Sequence, residues 1–200
     1  MRGSAEATRQ RILEAAYDLF YAEGFGRVSI DRVALHAGLT KRTLYYHFDS
    51  KDALLAAMLE FPHGLALERI AGWAAPLAGT DVGSFVDALF AALALWSRER
   101  RWTGAGMTRL VMELADLPGH PARAIAARHK AAIEDWLTAA LAARQAIDPR
   151  AAARSIMLLL EGCQAMILIS GDRDYAQTAA AAARRIAITA SGEPGSGDSG

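Results

Sequence analysis

Two short amphipathic segments, separated by about three residues, constrain the fold of this chain more than any other feature. Ser29 can cap the first segment, which ends at Gly38. Its apolar stripe consists of Ile30, Val33, Ala34 and Ala37. Thr40 can cap the second segment, 41–48, in which Leu44 and Phe48 form an inward i, i+4 pair. A tight, glycine-containing joint between two short helices is typical of a helix-turn-helix.

Composition extends the helical prediction to the whole chain. The 200 residues include 44 alanines, and 52% are hydrophobic, so a substantial helical core can form. No alternating strand pattern or internal repeat is visible. The spacing predicts about nine helices in an all-α fold. Besides the two short segments, the helical stretches are 8–22, one from Lys51 onward, 81–98, 107–117, 122–145, 149–170 and 175–190.

Charge and cysteine content exclude some classes of protein. The chain carries 22 basic and 22 acidic residues, whereas a nucleic-acid-binding domain is usually strongly basic. Residues 1–51 nevertheless carry a net charge of +2, so any binding of this segment to arbitrary DNA is expected to be weak. The single cysteine, Cys163, excludes a disulfide scaffold and favours a reducing cytoplasm.

Targeting signals are also not expected. The first residues lack the apolar core of a signal peptide, and no run of 18 apolar residues predicts a membrane span. The Gly/Ser-rich residues 191–200 predict a disordered tail.

The outer face of the second short segment is suited to DNA. With Leu44 placed inward on a helical wheel, Arg42 and Tyr46 point almost opposite. Lys41 lies at the exposed start of the segment, and Thr43 and Tyr45 flank the outer face. Arg and Lys can pair with guanine, and hydroxyl groups can reach phosphates or base edges.

The whole N-terminal pattern closely resembles the DNA-binding domain of the TetR family of bacterial transcriptional repressors. The resemblance covers residues 8 to about 60, including TLYYHF at 43–48 and KDALL at 51–55. It implies a three-helix DNA-binding domain at 6–60, with the helix-turn-helix at about 29–48. Its implied base-reading residues are Lys41, Arg42 and Tyr45. Its implied phosphate contacts are Thr40, Thr43, Tyr46, His47 and Lys51, with Ser29 and Arg32 also near the DNA backbone.

Several residues allow a second interpretation. Asp31 either accepts a hydrogen bond from cytosine or caps the first short helix. His47 either packs between helices or donates to a phosphate. Lys41 and Arg42, taken alone, fit a solvated surface pair, and Tyr45 and Tyr46 taken alone fit packing aromatics.

Residues 61–190 resemble the family's ligand-binding and dimerisation domain in helical layout only. Aromatic, methionine and polar residues there either fill the core or line an apolar cavity with polar groups. For Glu113 the alternative is an ion pair with Arg109. The candidate ligand-binding residues are Trp96, Trp102, Met107, Met112, Glu113, His129, Trp136, Glu161 and Gln164.

The last two helices, 149–170 and 175–190, resemble the pair through which the family forms homodimers. The residues expected to pack against a second copy are Ile156, Leu159, Leu160, Cys163, Ala165, Ile167, Ala179, Ala183 and Ile186.

The resemblance implies a cytoplasmic repressor that binds palindromic operator DNA and releases it when a small, apolar effector binds. The alternative is a TetR-like protein controlled by a protein partner. The operator, the effector, the regulated genes and the choice between repression and activation stay open. Spacing typical of a metal site, a phosphate loop or a catalytic nucleophile is missing from the sequence, so an enzyme and a bound cofactor are not expected.

Overall fold

The structure is a computed structural model that describes residues 2–60, 69–73, 80–100 and 102–189. All regular structure in these ranges is helical, as the sequence predicts. Besides a helical stretch at 69–73, it contains nine longer helices. They are α1 (Arg2–Glu23), α2 (Ile30–His36), α3 (Lys41–His47), α4 (Lys51–Glu60), α5 (Val82–Trp96), α6 (Gly106–Met112), α7 (Pro121–Ala142), α8 (Pro149–Ser170) and α9 (Asp174–Thr189).

Most helix starts agree with the sequence signals, while two helices differ in length. α8 begins after Asp148, whose side chain accepts a hydrogen bond from the N–H of Ala151. α1 begins at Arg2 instead of Thr8. α6 ends at Met112 instead of Leu117. From Leu114 onward, backbone N–H groups donate to carbonyl oxygens three residues back instead of four, which forms tight turns just before Pro118.

The first of two compact units comprises α1–α4, α6 and the first half of α7. Its core is one apolar cluster, in which the inward residues of α3 and α4 pack with α1. The fully buried side chains include Phe20, Leu44, Leu54, Leu55, Met58 and Leu59. Leu110 of α6 and Ala122 of α7 join the same cluster. The helix-turn-helix therefore shares its core with helices that lie more than fifty residues later in the chain.

The second unit comprises the stretch at 69–73, α5, the second half of α7, α8 and α9. Phe85, Leu89, Phe90 and Leu93 of α5 are buried in it, together with Ile156 and Leu160 of α8. The turn between α8 and α9 is fixed by Arg173, whose side chain donates to the hydroxyl and the carbonyl oxygen of Ser97. α9 packs against both α5 and α8.

Among the described helices, α8 alone is long and apolar enough to cross a membrane by length and composition. Arg154, Glu161 and Gln164 interrupt its apolar run, so length and composition alone do not overturn the sequence-based expectation that no segment spans a membrane. One face of this helix is buried in the second unit. The predicted disordered tail, 191–200, lies outside the described residues.

Candidate nucleic-acid interface

Local hydrogen bonds determine the geometry of the helix-turn-helix. Ser29 caps α2 by accepting from the N–H of Arg32 at 3.2 Å, and Thr40 caps α3 by accepting from the N–H of Thr43 at 3.1 Å. Between the two helices Gly38 adopts φ = 65°, a conformation that glycine reaches without strain. The sequence-based prediction of two capped helices and a glycine turn is confirmed.

The inner and outer faces of α3 differ as predicted. Leu44 is fully buried and Phe48, the residue after the helix, is nearly so. On the outer side Tyr46 is 83% exposed and Tyr45 is 45% exposed. Lys41 and Arg42 are exposed too. The helix therefore presents two cations and two phenol groups to the surroundings.

Two of the cationic side chains that are expected to contact DNA are paired with carboxylates. The Lys41 ammonium lies 3.0 Å from the nearer Asp31 carboxylate oxygen, so this pair joins α3 to α2. Arg32 donates two hydrogen bonds to Glu23, at 2.5 and 2.7 Å. In this structure Asp31 therefore holds Lys41, a role that neither sequence interpretation included. Among the described residues, Arg42 has no ion-pair partner.

Three other predicted contacts are less exposed. The Thr43 hydroxyl lies 2.9 Å from that of Thr40, and His47 is half-buried with its ring edge-on to Tyr46. The Lys51 ammonium lies 4.2 Å from the centre of the Phe25 ring. Partial burial lowers the pKa of Lys51, and the nearby Asp52 and Glu113 carboxylates oppose that shift.

The loop between α1 and α2 is attached to α6 by contacts that the sequence analysis missed. Glu113 accepts hydrogen bonds from the backbone N–H groups of Phe25 at 3.2 Å and Gly26 at 2.7 Å. Arg109 donates to the carbonyl oxygen of Tyr21. These contacts replace both earlier expectations for Glu113, which were a cavity-facing carboxylate and an ion pair with Arg109.

Two further features complete this attachment. A Cβ at Gly106 would overlap the Tyr21 ring, so α6 approaches α1 more closely than any other residue would permit. Nearby, the ring of the buried His120 lies edge-on to that of Phe25 in the same loop, with ring centres 6.4 Å apart. Gly106 is the residue in the sequence that could have indicated such close packing.

Several known proteins that are similar to this chain in sequence or fold are bacterial regulators. A family model described as bacterial regulatory proteins of the tetR family matches residues 12–58. The HTH-type transcriptional regulator SrpR from Pseudomonas putida is 38% identical over a segment covering 32% of this chain and 35% of SrpR. The HTH-type transcriptional regulator TtgR, from the same species, is 39% identical over 30% of this chain and 28% of TtgR. The matched segment thus spans about a third of these relatives.

A solved structure matches nearly the whole chain. SCO4454, a TetR-family transcriptional regulator from Streptomyces coelicolor, has 27% identity and a TM-score of 0.77, covering 90% of this chain and 96% of that one. The N-terminal segment of this chain is thus similar to the TetR family in sequence, and the chain as a whole is similar in fold to a TetR-family regulator. The predicted TetR resemblance and the all-α fold are thereby confirmed, and the prediction of a regulator instead of an enzyme agrees with these relatives.

The candidate effector-binding residues are divided between the two units. In the first unit Met107 and His129 are buried, while Met112 and Glu113 are exposed. In the second unit Glu161 is half-buried, and Gln164 donates to the carbonyl oxygen of Leu160 in its own helix. Trp96, Trp102 and Trp136 are half-buried in the second unit.

The dimer face expected from the sequence is largely wrong. Six of the nine residues proposed for it are buried inside the second unit, because they line the inner faces of α8 and α9. These are Ile156, Leu160, Cys163, Ile167, Ala179 and Ala183. The outer face of α8 carries Leu158, Gly162, Ala165 and Ile169, of which Ala165 alone belongs to the predicted set.

Proposed function

We propose that this protein is a homodimeric transcriptional repressor that binds a palindromic operator and releases it when a small, apolar effector binds its C-terminal half. The observation that carries the proposal is α3, which buries Leu44 and exposes Arg42, Tyr45 and Tyr46. Since chromosomal DNA is the proposed partner, the protein would act in the cytoplasm.

The outer face of α3 has the chemistry required to read a major groove. The Arg42 guanidinium can donate two hydrogen bonds to guanine O6 and N7, a contact that separates guanine from the other bases. The hydroxyl groups of Tyr45 and Tyr46 can reach phosphates or base edges. Two copies of α3 related by a two-fold axis would read half-sites about one helical turn apart.

The outer face of α8 supports assembly of two copies. Leu158 is 71% exposed and Ile169 is 79% exposed, which is unusual for large aliphatic side chains. Gly162 lies between them in mid-helix, where glycine costs about 1 kcal/mol relative to alanine. A Cβ at Gly162 would meet no atom of the described residues within 4 Å, so no neighbour in that part of the chain requires the glycine. Close approach of a second copy of α8 would explain it.

An aromatic cluster in the second unit supports an apolar effector. The ring centres of Trp73 and Trp102 lie 5.8 and 6.2 Å from that of Trp96, and the Arg69 guanidinium carbon lies 4.7 Å from the Trp96 ring centre. The Trp102 indole N–H is buried and has no hydrogen-bond partner among the described residues. An effector with a flat apolar body and one acceptor would suit this cluster. To release DNA, it must bind the non-operator conformation more tightly.

The proposal can be tested by selecting binding sequences from a random duplex library with the full-length protein. A gel shift with the selected duplex and with DNA upstream of the gene then compares wild type with the double variant Arg42→Ala, Tyr45→Ala. We expect the variant to lose at least a hundredfold in affinity while its dimer mass stays unchanged, because direct base contacts are removed.

The matched control is Arg98→Ala with Tyr175→Ala, which removes the same side-chain types from the second unit. This control should bind as wild type does. An unchanged shift for the α3 variant would contradict the proposal. Repeating the gel shift with a panel of apolar compounds tests the effector, and release by none of them would favour control by a protein partner.

A further inference from the structure

Two ion pairs of the helix-turn-helix involve cations that are expected to meet phosphates or bases. Lys41 of α3 is held by Asp31 of α2, and Arg32 of α2 is held by Glu23 of α1. The paired carboxylates raise the pKa of Lys41 and of Arg32, and Arg32 lowers the pKa of Glu23.

These pairs contribute little to folding because all four side chains are well exposed. The helix-turn-helix already has a buried apolar core and two capped helices that do not depend on them. Their main consequence is therefore electrostatic and concerns what approaches from outside.

Binding to arbitrary DNA depends on the net positive charge brought to the phosphates. Each phosphate that a protein neutralises releases a condensed counterion, and this release provides nearly all non-specific affinity. A lysine or arginine that is paired with a carboxylate brings no net charge to the DNA. If the cation leaves the carboxylate for a phosphate, the unpaired carboxylate stays close to the DNA and repels it. Arg42 is thus the one cation of the three on α2 and α3 that brings its full charge, among the described residues.

We propose that Asp31 and Glu23 are specificity-determining residues that suppress binding to arbitrary DNA by pairing with Lys41 and Arg32. Base contacts made by α3 then decide where the protein binds. This inference rests on the proposed DNA-binding function and assigns its sequence selectivity to two acidic residues that make no base contact of their own.

The test measures fluorescence anisotropy of two labelled duplexes, the selected operator and a scrambled sequence of equal length, between 50 and 200 mM KCl. Full-length wild type is compared with Asp31→Asn and Glu23→Gln. We expect each variant to bind the scrambled duplex several-fold more tightly. The slope of log K against log salt should steepen by about 2 per dimer, since each phosphate neutralised contributes about 0.9. Operator affinity should rise less, so the ratio between the two duplexes falls.

Glu60→Gln is the matched control. It makes the same charge change in an exposed carboxylate that pairs with Arg128 in the same unit, away from α2 and α3 in the chain. Its salt slope should equal that of wild type. Unchanged slopes for Asp31→Asn and Glu23→Gln, or an equal change for Glu60→Gln, would overturn the inference. Wild-type protein that selects no duplex at all would instead contradict the proposed function.

Discussion

The outer faces of α3 and α8 are both exposed, yet their chemistry is opposite. α3 presents Lys41, Arg42 and two tyrosines, while α8 presents Leu158, Gly162, Ala165 and Ile169. Charged and hydroxyl groups can exchange water for phosphates and base edges, whereas small and aliphatic groups gain only by burial against a similar surface. Exposure alone therefore does not identify the partner of a surface. The chemistry of the side chains on that surface does.

The largest expected effect comes from making the α8 face resemble a charged surface. Leu158→Glu together with Ile169→Glu would bury carboxylates at the proposed dimer contact, which is strongly unfavourable without partners. We expect a monomer by light scattering and at least a hundredfold loss of operator affinity, because the two half-sites can no longer be bound together.

Ala139→Glu is the control for that double variant, since Ala139 is exposed on α7 of the same unit. It should remain a dimer and retain operator binding. A double α8 variant that stays dimeric at micromolar concentration would show that this face is not the contact.

The sequence could predict a face where the interactions that form it join residues close together in the chain, and could not where they join distant residues. α3 was predicted correctly because its caps, its glycine turn and its Leu44–Phe48 pair all lie within about twenty residues. α8 has two apolar faces beside a polar side that includes Arg154 and Glu161, so its spacing could not tell which apolar face its own chain covers and which stays outside. Glu113 was misassigned because its partners, Phe25 and Gly26, lie nearly ninety residues away.

The inner face of α8 provides the next contrast. Burial raises the pKa of the Cys163 thiol to about 11. At pH 8 the thiolate fraction is therefore about a hundredfold below that of an ordinary thiol, since each pKa unit is a factor of ten. We expect a disulfide reagent such as DTNB to react about a hundredfold more slowly with native protein than with urea-unfolded protein.

The same shift determines how stability depends on pH. The pKa of an unfolded cysteine thiol is about 9.0. Above that pH the unfolded chain releases the thiol proton while the folded chain keeps it. The free energy of unfolding should therefore fall as pH rises from about 9. Rapid reaction of the native thiol at pH 8 would place Cys163 on an accessible face instead.

Replacing Gly162 by alanine should have a smaller effect, and whether it stabilises or destabilises tells whether the outer face of α8 is free or covered. If nothing covers Gly162, Gly162→Ala should stabilise the helix by up to about 1 kcal/mol. If a second copy packs closely there, the added methyl group should weaken the dimer by about tenfold, since overpacking costs roughly 1–3 kcal/mol. We expect the second result, measured as the dimer dissociation constant by analytical ultracentrifugation.

The ion pairs on α2 and α3 have a consequence for how many molecules a cell needs. A genome offers on the order of a million or more competing sites of arbitrary sequence, and a strongly basic regulator is largely sequestered on them. With Lys41 and Arg32 already paired, a larger share of the molecules stays free to find the operator. A low copy number then suffices for occupancy, and a modest change in operator affinity is enough to empty the site.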